Sequence, residues 1–173
     1  MDHYIHKKAA ELHRHSIVVD AHCDTLTVLQ KQKRRLGRLA GQGHLDLPRL
    51  KIGGVKVQFF AAYISPEFKH APLKRALELI DIFTNEIAVN ASDIEHVKNL
   101  KEIYRACNSG KVAALLTVEG GECLEGSTRT LSKLFRLGVR GLTLTWNNSN
   151  ELGSGVKAIK PSGLTAFGLS VVE

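Results

Sequence analysis

VVDAHCDTL, residues 18–26, decides how this chain is read. An apolar, β-branched run over residues 17–22 leads into it and predicts a buried strand. Yet Asp20, His22 and Asp24 take alternate positions across its end. In an extended chain, residues two apart project to the same face. His22 and Asp24 would then lie about 7 Å apart at the backbone, within reach of one ion. An imidazole nitrogen and a carboxylate oxygen suit zinc or a similar first-row metal. Asp20 shares that face one step deeper, where it could orient a ligand.

Outward from this stretch, strands alternate with helices. Apolar runs predict strands over 55–64, 112–118 and 139–146, with a short one near 88–92. Helical spacing predicts helices over 4–15, 71–89 and 127–138, and the start of another in 164–173. SDIE, residues 92–95, has the pattern of a capping box, opening a helix lined by Ile94, Val97, Leu100, Tyr104 and Cys107 and closed near Gly110. Residues 31–53 and 147–163 read as loops, the first basic and both glycine-containing.

Such alternation implies right-handed crossovers and a parallel sheet. No glycine-rich nucleotide fingerprint follows the first strand, which argues against a doubly wound nucleotide-binding fold. Ionisable groups instead stand at the C-terminal ends of strands: His22 and Asp24 after the first, Glu119 after 112–118. That is where barrel enzymes keep their chemistry. The expectation is an α/β fold of (β/α)8 TIM-barrel type, with residues 1–173 as a single domain. In TVEGG, Glu119 would supply a third ligand, and the two glycines permit close backbone approach. Each of these residues also has a separate, plainer explanation as a satisfied histidine or a capping acid.

The chain of 173 residues carries a net charge of +7, densest in KQKRRLGR, residues 31–38. That run has no interleaved aromatic and no accompanying nucleic-acid motif, so it reads as a solvated loop and no nucleic-acid partner is expected. No run of about 18 apolar residues occurs, and no membrane partner is expected. The polar N-terminus lacks the apolar core of a secretory signal. Cys23, Cys107 and Cys123 are an odd number without paired spacing. They read as free thiols of a cytoplasmic protein. Cys23 stands out because it lies between two candidate ligands. His3, His6, His13, His15, His44, His70 and His96 read as solvated.

VVDAHCDTL, GHLDLPRLKIGGVKVQFFAAYI, ALLTVEGGECLEG and GVRGLTLTWNNSNELGSG, in this order, resemble the N-terminal part of the membrane (renal) dipeptidase family of zinc metallopeptidases, its bacterial branch above all. The resemblance runs from about residue 16 to 173. It implies a (β/α)8 barrel with two zinc ions and hydrolysis of dipeptides by a metal-bound hydroxide. His22 and Asp24 correspond to ligands of the first zinc, and Glu119 to the catalytic glutamate that bridges both. Trp146 stands at a substrate-contacting position that is histidine in some members, so its contact would be stacking or shape. Asn147 and Asn150 match polar loop residues near the substrate cleft.

In the family, two histidines on later strands hold the second zinc, and no histidine follows His96 here. The family's later proton-moving aspartate and carboxylate-gripping arginine have no counterpart either. The resemblance therefore implies an incomplete barrel of about five βα units, the N-terminal portion of a metallodipeptidase barrel. It would hold one zinc or none, with impaired turnover, and would associate with a second copy or a complementing C-terminal fragment. The alternative is a non-catalytic, metal-binding remnant of a dipeptidase gene.

Overall fold

A computed structural model describes residues 2–173, with side chains described from residue 5 onward; His3 therefore lies outside the described side chains. Five parallel strands form one sheet: β1 (Val18–Asp20), β2 (Val55–Tyr63), β3 (Ile94–His96), β4 (Val112–Glu119) and β5 (Val139–Thr143). Helices α1 (Asp2–His15), α2 (Thr25–Gln32), α3 (Leu47–Ile52), α4 (Pro72–Val89), α5 (Leu100–Asn108), α6 (Thr128–Arg136) and α7 (Ala166–Val172), with short 3-10 turns at Pro66–Phe68 and Gly121–Leu124, complete the order. No helix among the described residues is long and apolar enough to cross a membrane.

Strands β1, β2, β4 and β5 succeed one another across the sheet. β3 is out of sequence. It pairs with Val112–Ala114 at the start of β4, on the same edge that β5 takes along Leu116–Glu119. Moving from β3 to β4 therefore runs against the direction of the other steps. A right-handed crossover made in reverse puts its helix on the opposite face of the sheet. The packing agrees. Leu26, Leu29, Ala76, Leu79, Phe83 and Leu134, from α2, α4 and α6, join Phe60, Ala62, Leu116 and Val118 in one apolar cluster. Ala106 and Ile103 of α5 join Val57, Phe59, Ala113 and Leu115 in another, on the alternate strand positions. α5 thus floors the face that carries Glu119 at its far end.

Two expectations are corrected here. SDIE does not open a helix: Ser92 bonds the Asp93 carboxylate at 2.8 Å, and Ile94–His96 is strand. Pairing with β4 outweighs the local capping pattern, and it displaces the short strand expected near 88–92. A side-chain cap lies seven residues later, at Asn99. The Asn99 side chain accepts from the Glu102 amide at 2.9 Å, and the Glu102 carboxylate accepts from the Lys98 amide at 2.7 Å. Nor is 31–53 a continuous loop. The Asp46 carboxylate accepts from the Arg49 amide at 3.0 Å, and Pro48 sits in the first turn, which together start α3.

Two buried carboxylates hold the connection between α2 and α3. Asp46 also accepts from the Ala40 amide at 3.3 Å and faces the Arg49 guanidinium, which in turn donates to the Gly43 and Ala40 carbonyls. Glu86 of α4 accepts from the Leu36 amide at 2.8 Å and pairs with Arg35 at 2.6 Å. Within the basic run, Arg35 is thereby paired and Arg34 is half-buried, whereas Lys31, Lys33 and Arg38 stay exposed. His96, expected to be solvated, is half-buried. Its Nε2 donates to the Gly138 carbonyl at 3.2 Å, and its ring meets Phe83 edge-on with centroids 4.8 Å apart.

Glu86→Ala should lower unfolding stability by about 2–3 kcal/mol, because it strips a buried amide and a charge of their partner. Asp46→Ala should cost about 1–2 kcal/mol through the lost cap. Urea unfolding with an unchanged m-value checks both. Burial pushes the His96 imidazole below its ordinary pKa, with Lys98 and Arg140 adding to the shift and the Gly138 bond opposing it. The unfolded chain then takes up protons that the fold refuses, so stability falls as pH drops through and below the ordinary imidazole value. His96→Gln should flatten that fall between about pH 7.5 and 5.5; parallel profiles for the two proteins would contradict it.

Candidate metal centre

Glu119 is the last residue of β4, in register with Tyr63, the last residue of β2. The chain then turns sharply through Gly120, whose φ is +120°. A side chain on Gly121 would strike the Leu144 carbonyl at 2.5 Å, so the close approach expected of these glycines is realised. β1 stops at Asp20, short of His22 and Asp24. The segment nevertheless stays beside β2, where the Ala61 amide donates to the Cys23 carbonyl at 2.9 Å. Asp24 is the residue that enters α2, with helix-side rather than strand angles. Strand alternation alone therefore does not bring His22 and Asp24 together; the turn into α2 does.

His22 Nε2 lies 3.3 Å from a Glu119 carboxylate oxygen and 3.6 Å from an Asp24 carboxylate oxygen. One donor atom of each residue lies within 4.8 Å of the other two. Donors about 2.1 Å from a tetrahedral zinc stand about 3.4 Å from each other, so the set fits one such ion. Half of each of the His22 and Asp24 side chains is exposed against 13% of Glu119, leaving the cluster open from the rim. Burial raises the Glu119 pKa, and the Asp24 charge raises it further, with His22 opposing. A cation held among them would relieve both effects.

Asp20 is half-buried beneath, and its carboxylate accepts from the His22 backbone amide at 3.2 Å. It steadies the turn that carries His22 rather than gripping the imidazole. Cys23 packs against the apolar cluster, and burial pushes its thiol up to about 11. It is a core residue between two ligands. Trp146 lies at the same rim, its ring edge-on to Tyr63 with centroids 5.1 Å apart. Asn147 is tied down by its carbonyl, which accepts from the Lys157 amide at 2.9 Å. Asn150 bonds the Glu122 carboxylate and the Leu144 carbonyl, a bracing role for the loop.

Tyr63 was not legible as a site residue, although its position at the end of a strand was the available signal. Its pairing with Glu119 sets it beside the cluster, and its hydroxyl pKa is raised, by burial first and then by the charges of Glu119 and Asp24. Arg34 and His44, from the supposed solvated loop, also reach the site: they line one cavity of about 410 Å³ with Asp20, His22 and Asp24.

A family model described as membrane dipeptidase, peptidase family M19, matches residues 6–173. Dipeptidase 3 of Homo sapiens is 33% identical over 178 residues, covering 96% of this chain and 36% of its own. An uncharacterized dipeptidase of Schizosaccharomyces pombe is 29% identical, covering 94% of this chain and 44% of its own. The chain thus spans less than half the length of these curated relatives. A solved dipeptidase of family M19 superposes with a TM-score of 0.80 at 23% identity, over 91% of this chain and 53% of that one. A metallopeptidase from Rhodobacter sphaeroides, solved with a phosphinate mimic of the dipeptide L-Ala-D-Ala, superposes at 0.78 with 25% identity, over 90% and 54%. The parallel sheet corresponds to about half of such a chain, as an incomplete barrel does. With a metallopeptidase fold, a convergent donor set and a family match over nearly its full length, the chain belongs to the membrane dipeptidases, peptidase family M19.

Proposed function

We propose that these 173 residues carry the first half of a zinc dipeptidase site, with His22, Asp24 and Glu119 as ligands of one ion. The observation that supports it is the convergence of an imidazole and two carboxylates at the C-terminal mouth of the sheet. Zinc held there supplies Lewis-acid activation of water and of the scissile carbonyl.

The remaining work falls to the chain. Glu119, anchored at the end of β4, sets the depth of the site. Asp20 fixes the backbone from which His22 projects, and the α2 turn fixes Asp24. Tyr63 and Trp146 form an aromatic wall beside Glu119 against which a dipeptide side chain can lie. The cluster's openness to solvent gives a small substrate access from the rim. That one of the structural neighbours was solved with a mimic of L-Ala-D-Ala supports a dipeptide as the substrate class.

With three ligands and no histidine after His96, the chain by itself holds one ion, and its dipeptide turnover is low. Elemental analysis should give about one zinc per chain. His22→Ala and Glu119→Gln should each weaken zinc binding by at least about tenfold, since even outer partners of a ligand are worth that much. Trp146→Ala should leave the metal in place. Two zinc ions per chain would mean that another chain lends ligands. No zinc under conditions where the chain is folded would leave only the non-catalytic remnant.

A further inference from the structure

We propose that Arg34 binds a carboxylate of the substrate and so helps determine which dipeptides the site accepts. The inference rests on the dipeptide reading above.

Three arginines pack into the connection between α2 and α3. Arg35 is paired with Glu86, and Arg49 with Asp46. Arg34 has no carboxylate partner among the described residues, although it is half-buried. Its guanidinium is nonetheless fixed. Nε donates to the Gln32 side chain at 3.0 Å, and Nη1 donates to the Leu45 carbonyl at 3.1 Å. Nη2 has no acceptor among the described residues. A side chain on Gly43, which has φ +82°, would meet Nη2 at 2.6 Å, so the glycine keeps the space that the guanidinium occupies. The result is a planar cation held on two sides with its third edge unused.

That cation lines the same cavity, about 410 Å³, as His22 and Asp24. Asp20, Asp24 and Glu119 give this end of the barrel three negative charges, against which Arg34 is the guanidinium in reach of the cavity. A divalent ion on the cluster offsets two of those charges and leaves Arg34 to attract an anion. A half-buried guanidinium without a counterion favours a carboxylate, which its fork geometry matches. A dipeptide offers two such groups, its terminal carboxylate and an acidic side chain.

Calorimetric titration of the zinc-loaded chain separates these sources. The probes are Ala-Asp against Ala-Asn for the side chain, and Ala-Ala against its amide for the terminus. One of the two pairs should differ by about tenfold or more in the wild type, as expected for a charge-assisted bond. Arg34→Gln should erase that difference while leaving zinc stoichiometry unchanged and the chain folded, with a small fall in melting temperature from the lost Leu45 bond. Arg34→Lys should keep part of it. If the dipeptides bind but Arg34→Gln affects every probe equally or not at all, the role of Arg34 is overturned and the dipeptide site stands. If no dipeptide binds the folded, zinc-loaded wild type, both are overturned.

Discussion

Strand β4 is the constraint on which the rest depends. It is hydrogen-bonded along both edges, to β2 on one side and to β3 and then β5 on the other. Its alternate residues enter both apolar clusters, so neither face is solvated over most of its length. A strand so placed has little freedom to shift, since a slip by one residue would turn every side chain to the wrong face. Glu119 is its final residue. The carboxylate that would hold a metal is therefore positioned by the most firmly bound element of the molecule.

The other two donors are held less directly. His22 and Asp24 ride on a short segment beyond β1, fixed by one main-chain bond to β2, by Asp20 and by the entry to α2. α2 is in turn clamped from below, because the loop that follows it is anchored by Glu86 and Asp46. These buried acids lie away from the candidate metal, yet they fix the stretch that brings Arg34 to the same cavity. Charge within this fold is used twice: once to close a loop, and once to gather donors.

Much of this was legible in the residues. Apolar runs located β2, β4 and β5, and HxD followed later by TVEGG named three side chains that the fold brings together. What was not legible has physical causes. SDIE has the local form of a cap, but three main-chain pairings with β4 outweigh one side-chain cap. The α3 start was visible as Asp46 followed by Pro48, and it was hidden by the basic character of its surroundings. Arg34 looked like one charge among many, since nothing in a charge run says which members find partners. Asp20 was expected to orient a ligand side chain; it bonds the His22 backbone amide. Tyr63 carries no motif, and only the register of β2 against β4 brings it beside Glu119.

The reversed step from β3 to β4 also bears on the order of assembly. Ile94 and Val112 pair across 18 positions of chain, whereas Val57 and Ala113 pair across 56. Closing the longer loop costs about 1 kcal/mol more in chain entropy. β3, α5 and β4 thus form a compact local unit that can gather first and present a ready edge to β2. Because α5 is on the inner face, the floor beneath the donors is laid with that unit, ahead of the rim. The chain would then acquire this buried apolar cluster before the charged groups at the top are brought together, so Glu119 arrives already seated on β4 when His22 and Asp24 come to meet it.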